Sequence, residues 1–333
     1  MQTIRYNHRL MDLIVWSRLS GITWWNKIAI SNGVRGRGLF TTQSIAANDI
    51  VLSVPLRATF SFLNFEYERK FPIKVAPHDY GLSLSWWPDL DWGTFALIAW
   101  LTSKSLQRNP NTNPYIQALP RYMDSPQSDA LENPNAPFGI LRSIALQSMR
   151  SKEYVEATES LITYSNSHRA QFDQEFLWLY TMVRSRSIPL WSSQGGHEAF
   201  RNTVYGKHSE NSNGDMCCIV PMLDMINHAS ADANVSIGFP GEEVSDLIIE
   251  HSASKPVEVD LSDDFCLPRI SPKAFIVVRA VQDLPAGIEL LMNYNAFYGF
   301  DEEIFSAWFD IPLREGLSQG DGRQEFKYRM KKG

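Results

Sequence analysis

Three short stretches and one isolated arginine carry side chains suited to binding and chemistry. In PMLDMINHAS (221–230) an apolar run, Ile219-Val220-Pro221-Met222-Leu223, ends in Asp224, and Asn227 and His228 follow. These two polar groups close what reads as a buried element, where an unpartnered amide or imidazole costs roughly 2 kcal/mol or more. They are either a satisfied core pair beside a strand-terminal turn or part of a site. In GVRGRGLF (33–40), Gly36 and Gly38 lack a Cβ, so the backbone can come close to a ligand and offer N–H and C=O groups. An ordinary hairpin loop would use the same residues. No Gly-Lys-Ser/Thr follows, which excludes a phosphate loop. Arg186 ends a largely apolar helical stretch; its guanidinium can grip a carboxylate through two parallel hydrogen bonds or satisfy the helix dipole. Tyr294, in LPAGIELLMNYN (284–295), is either a phenol offered to a site or a tyrosine capping a core strand. Asp224, His228, His208 and His197 could be gathered as metal ligands of a hydrolase, but no HxxxH or HExxH spacing supports that reading.

The 333 residues suffice for one large domain or two, and 44% hydrophobic with 20% charged content is that of a globular chain. A net charge of −6 argues against a nucleic-acid backbone as main partner and tolerates a basic peptide. The three cysteines, Cys217, Cys218 and Cys266, form no CxxC or CxC pair, and the adjacent two make a poor zinc site. An odd count without a signal peptide points to a reducing compartment. No run approaches the ~18 apolar residues of a membrane helix. The expectation is a soluble, cytoplasmic or nuclear protein with no metal, no membrane and no nucleic-acid partner.

The elements that must position these residues follow from periodicity. Leu10, Leu13, Ile14, Trp16 and Leu19 predict an amphipathic first helix stopped by Gly21. A strand is expected over Trp24–Ile30, a glycine loop over SNGVRGRG, and strands over LFTTQSI and IVLSVP, the last two joined as a hairpin with the glycine loop at its mouth. A helix is expected from about Gly93, an extended piece at PYIQALP, and a long helical tract over 138–187, with Phe172, Phe176, Leu179, Tyr180 and Val183 on one face. Strand texture returns at Cys217–Pro221, VSIGF, KAFIVVRAV and IELLMNY, followed by a helix over 301–309 and a polar tail. This gives four regions: 1–90, a first strand-rich part; 91–210, an inserted helical subdomain; 211–312, a second strand-rich part with the site; and 313–333, the tail.

Five pieces in this order, GRGLFTTQSI (36–45), NPYIQALP (113–120), VRSRSIPLW (183–191), VPMLDMINHAS (220–230) and LPAGIELLMNYN (284–295), resemble the SET-domain protein methyltransferases. The resemblance covers about residues 10–312 and is to the branch that includes the Rubisco large-subunit lysine methyltransferase, fungal ribosomal-protein lysine methyltransferases and the actin-histidine methyltransferase. It implies an α+β fold: a β-rich SET fold split by an inserted helical subdomain, with a short polar C-terminal tail. It implies S-adenosylmethionine as cofactor, held by Arg37, Gly38, Leu39, Arg186, Asp224, Asn227 and His228, with Arg186 on the cofactor carboxylate, Asn227 on its amino-acid end, and the His228 region at the adenine. Tyr294 takes the place of the catalytic tyrosine, orienting an amine that a dry aromatic channel helps to keep neutral. Tyr298, in Tyr298-Gly299-Phe300, is the rival for that place.

The chain departs from the family in places. Where the closing helix often ends Tyr-Gly-Phe, this sequence has Ala307-Trp308-Phe309, so Phe297, Tyr298, Trp308 and Phe309 are the candidate channel aromatics. Ile188 stands where the histidine-methylating branch has an amide, and Leu223 replaces its tryptophan; both favour a lysine stem. The histone-directed branches' zinc-binding cysteines are missing, which favours a non-histone substrate such as a ribosomal or translation-related protein. Relatives usually carry a C-terminal helical domain that grips the substrate; either the inserted helical block recognises the substrate here, or the sequence is a truncated piece of a longer chain. The alternatives are a non-catalytic SET-like interaction module and histidine methylation.

Overall fold

The computed structural model describes residues 8–24, 26–33, 36–55, 58–61, 72–73, 83–107, 114–120, 139–189, 217–229, 232–238 and 275–294. In chain order the described elements are α1 (His8–Leu19), β1 (Thr23–Trp24), β2 (Ile28–Gly33), β3 (Gly36–Thr41), β4 (Ile50–Pro55), β5 (Phe60–Ser61), β6 (Ser83–Leu84) and β7 (Trp87–Asp91). Then come α2 (Trp92–Leu106), α3 (Pro114–Ala118), α4 (Gly139–Ser148), α5 (Lys152–Ser165), α6 (Arg169–Arg186), β8 (Ser187–Pro189) and β9 (Cys217–Ile219). A 3-10 turn (Leu223–Met225) leads to β10 (Asn227–His228), β11 (Val235–Gly238), β12 (Phe275–Ala280) and β13 (Leu291–Met292). The class is α+β. Among the described residues, those from His8 to Ser61 and from Cys218 to Tyr294 form one compact unit; those from 72 to 189, with Cys217, form another.

The first unit is built on an antiparallel sheet of order β1-β4-β12-β11. Strands β4 and β12 are covered on both faces: the adjacent Val51 and Leu52, with Val54, Ile276 and Val278, are all fully buried, as the continuous apolar text of the two strands requires. Helix α1 ends in a Schellman motif. Gly21 has φ 80°, its N–H donates to Arg18 O at 3.0 Å, and Ile22 N–H donates to Ser17 O at 3.0 Å. Leu13 is buried and Trp16 stacks on Phe60 at 6.0 Å, but Leu19 is 83% exposed. Six positions on from Leu13, Leu19 is turned about 240° around a helix of 3.6 residues per turn, off the buried face.

The glycine run is not a loop. Ile28–Gly33 and Gly36–Thr41 pair as an antiparallel hairpin from Ile28↔Thr41 to Gly33↔Gly36, so most of the glycine segment is strand. The strand expected over Trp24–Ile30 is two strands in different sheets, β1 and β2. The hairpin expected between LFTTQSI and IVLSVP does not form either. Strand β4 pairs with β12 instead. The connection before it is occupied elsewhere: Ile45 bridges Leu284, and Asn48, at φ 68°, donates its N–H to Ala280 O at 2.8 Å. Partners about 240 residues away win over the local turn because their side chains share the buried face.

In the second unit, α2 starts at a capped turn. Thr94 N–H and Oγ1 donate to the two carboxylate oxygens of Asp91 at 2.8 and 2.7 Å. Trp87, Phe95, Tyr154, Phe176 and Tyr180 form a buried aromatic cluster with centroids 5.1–6.2 Å apart. Phe172, Phe176, Leu179, Tyr180 and Val183 are all fully buried on α6, as the periodicity predicts. The single tract expected over 138–187 is three helices. Ser151 caps α5, accepting from Tyr154 N–H at 3.1 Å, and Asn166 ends it in the left-handed region at φ 50°. PYIQALP is the short helix α3 rather than an extended piece. Pro114 sits at its first position, where a missing N–H costs nothing. The helix expected at 301–309 lies outside the described residues.

Candidate functional site

The site residues of the first unit converge where β3, β10 and the segment before β13 meet. The apolar run does bury: Ile219, Val220, Met222, Leu223 and Ile226 are all at most 1% exposed. Met222 has φ 71°, unusual for a side-chain-bearing residue, and the 3-10 turn that follows reverses the chain into β10. Asn227 and His228 therefore emerge half-buried rather than closing a fully buried element. Strand β10 runs parallel to β13, with Asn227 opposite Leu291 and His228 opposite Met292.

Three contacts fix the second wall. Thr41 N–H donates to Ile288 O at 2.8 Å, Leu290 N–H to Leu39 O at 2.8 Å, and Phe40 bridges Glu289. Gly287, at φ 85°, makes the turn that starts this wall and donates its N–H to Thr41 O at 2.7 Å. Gly287, seven residues before Tyr294, thus has a conformational reason to be glycine.

The Asn227 amide lies over the glycine strand. Its Nδ2 donates to Glu289 Oε1 at 2.7 Å and to the Arg37 carbonyl at 3.4 Å. A Cβ on Gly38 would stand 2.8 Å from Asn227 Nδ2 and 2.9 Å from Glu289 Oε1. The space that Gly38 leaves open is therefore taken by this pair of side chains, not kept for a ligand's approach. Among the described residues no donor reaches Asn227 Oδ1, which is left as a hydrogen-bond acceptor. An acceptor of this kind suits a cationic donor such as an ammonium group.

Tyr294 is tied down at both ends. Its N–H donates to His228 Nδ1 at 3.1 Å, and its phenol donates to the Ile226 carbonyl. The His228 and Tyr294 rings lie 5.4 Å apart, tilted by 52°. Because Nδ1 accepts here, a neutral His228 carries its proton on Nε2. His228 therefore sets the backbone that presents Tyr294, a task that the sequence does not reveal.

The remaining expected residues are placed as follows. Leu39 and Leu223 are core side chains, each 1% exposed, and Asp224 is buried in the 3-10 turn. Arg186 is the last residue of α6, and Ile188, 6% exposed, lies in β8; both belong to the second unit. Phe297, Tyr298, Trp308 and Phe309 lie outside the described residues, as do His197 and His208. Among the described residues no group of three His, Cys, Asp or Glu could hold a metal ion, and no helix is long and apolar enough to cross a membrane. Sequence reasoning missed Glu289 and Asn234. Asn234 is 4% exposed; its Nδ2 donates to Glu289 O and its Oδ1 accepts from Leu291 N–H, at 2.8 and 2.9 Å. A charged residue inside the apolar strand text IELLM was the available signal for Glu289.

No family model matches the chain, and no curated protein matches it. Solved structures do. A structure of Rubisco LSMT bound to sinefungin and monomethyllysine is 15% identical, with a TM-score of 0.50, over 96% of this chain and 62% of that one. The SET domain of LSMT bound to lysine and AdoHcy is 14% identical, with a TM-score of 0.48, over 86% of this chain and 53% of that one. The chain thus spans between half and two thirds of the length of these neighbours. On the first of these matches, which runs over nearly the whole sequence, the chain has the SET-domain fold of Rubisco LSMT.

Proposed function

We propose that this chain transfers a methyl group from S-adenosylmethionine to the side-chain amine of a lysine in a non-histone protein, in the cytoplasm or nucleus. The observation that carries the reading is the meeting of Gly38, Asn227, His228 and Tyr294 in one compact unit, in a fold shared with a protein solved with sinefungin and monomethyllysine. When bound, S-adenosylmethionine supplies a methyl group on a positively charged sulfur. Asn227 Oδ1 would receive the ammonium of its amino-acid end.

The lysine must arrive neutral, with its lone pair in line with the methyl carbon. Its ordinary pKa of ~10.4 is brought down by desolvation. Tyr294 is placed to orient that amine. Its proton is committed to the Ile226 carbonyl, so toward an amine N–H the phenol oxygen acts as an acceptor. In that arrangement the phenol positions rather than deprotonates. By the family resemblance, an apolar residue at Ile188 where the histidine-methylating branch has an amide favours a lysine stem over an imidazole.

The test is to incubate the chain with methyl-labelled S-adenosylmethionine and a cytoplasmic and nuclear protein extract, hydrolyse the product, and separate the labelled amino acids. Label in methyl-lysine is the expected result. Label in methylhistidine would move the target to the imidazole. No label with a folded chain would favour the non-catalytic interaction module.

A further inference from the structure

Glu289 fell outside every role assigned from the sequence, yet it holds the residue on which cofactor recognition turns. We propose that Glu289 is a positioning residue: its carboxylate fixes the Asn227 amide with nitrogen inward and oxygen outward. The consequence for cofactor binding rests on the function proposed above; the orientation itself does not.

The two acceptors around Asn227 Nδ2 are a carboxylate, at 2.7 Å, and a backbone carbonyl, at 3.4 Å. Neither can donate. If the amide were reversed, its oxygen would face Glu289 Oε1 at hydrogen-bond distance with no proton between them, and two acceptors repel. The amide therefore has one orientation only, and Oδ1 is its outward atom. With Glu289 removed, the Arg37 carbonyl alone remains at a long distance and the amide is free to turn.

Glu289 is itself held from two sides. The buried Asn234 amide spans its strand, donating to Glu289 O at 2.8 Å and accepting from Leu291 N–H at 2.9 Å. The carboxylate sits over two glycines of the β2–β3 hairpin: Cβ atoms there would come within 2.9 Å of Oε1 at Gly38 and 3.3 Å of Oε2 at Gly33. Gly38 makes room for this carboxylate, Gly33 mainly for the Phe40 ring, where a Cβ would stand 2.6 Å from Cζ, and the carboxylate orients the amide.

The experiment has two readouts on the full chain. The first needs no cofactor: the side-chain amide resonances of Asn227, identified by their loss in Asn227→Ala. They should show slowed hydrogen exchange in the wild type and the position of a free amide in Glu289→Ala. Unchanged resonances in Glu289→Ala would overturn the proposal. The second is S-adenosylhomocysteine affinity. Glu289→Ala should lose about tenfold, one hydrogen bond's worth. Glu289→Gln, which can still accept, should recover to within about threefold. Adding Glu289→Ala to Asn227→Ala should cost nothing further. Additive losses would make Glu289 a structural residue and overturn its positioning role. A wild type that binds no cofactor, while its Asn227 amide still responds to Glu289, would overturn the reading of function and leave the positioning supported.

Discussion

Tyr294 offers a phenol whose proton is already engaged by the Ile226 carbonyl, on a backbone whose N–H is engaged by His228. A residue held this way contributes geometry, so its removal should appear in turnover and not in cofactor affinity. Tyr294→Phe is expected to lower kcat about 10²-fold while S-adenosylhomocysteine affinity moves less than about threefold. Single-turnover methylation and calorimetry on the same sample check the split; a proportional loss in both would mean that the phenol binds cofactor. Gly38 makes a complementary case. A Cβ there meets the ends of two side chains, Asn227 and Glu289, which can swing aside only by giving up their hydrogen bond. Gly38→Ala should therefore cost about 1 kcal/mol of stability, and cofactor affinity should fall about tenfold or more. Thermal melting and titration together read both; unchanged affinity would show that the Asn227 amide does not depend on this strand. Tyr294 and Asn227 were legible from the sequence because their neighbours form long ordered motifs. Glu289 was only half legible: a charge inside the apolar text IELLM marks the residue, but its partner lies 62 residues away and nothing local names it.

At the scale of elements, the helix N-terminus at Asp91 has a measurable electrostatic signature. Burial pushes the Asp91 carboxyl above its ordinary value, against the opposing hydrogen bonds from Thr94 and the Arg184 charge. A raised carboxyl binds more protons folded than unfolded, so its contribution to stability falls as pH rises from the unfolded pKa through the folded one. Asp91→Asn keeps a capping oxygen without the buried charge. Its melting temperature should gain on the wild type as pH rises from about 4 toward neutrality; a constant difference across that range would show the carboxyl to be unshifted. The elements also show where the sequence could be read and where it could not. Helix α6 and strands β11 and β12 were legible from the sequence pattern, although α6 is buried all round from Phe176 to Val183 and not on one face alone. Strand pairing did not. LFTT was expected to pair forward with IVLSVP, but it pairs backward with Ile28–Gly33 and across to the segment before β13. Pairing is chosen by which faces share a core, and that is settled by residues some 240 positions apart. The break of the helical tract at Asn166 was likewise hidden, because a left-handed asparagine leaves apolar periodicity intact on both sides.

For the molecule as a whole, two compact units carry the ordered motifs, and the strand-rich one holds Gly38, Asn227, His228 and Tyr294 together. The order of five stretches made the fold legible from sequence, where no single stretch would have done. The substrate was not legible, because it is set by surfaces and not by spacing. The central claim is that the site around Asn227 binds S-adenosylmethionine, and the most direct measurement is calorimetric titration of the full chain with S-adenosylhomocysteine, beside Asn227→Ala. The account predicts one site of roughly micromolar affinity, weakened at least tenfold by the substitution. A folded wild type that shows no binding, or binding that the substitution leaves intact, would contradict it.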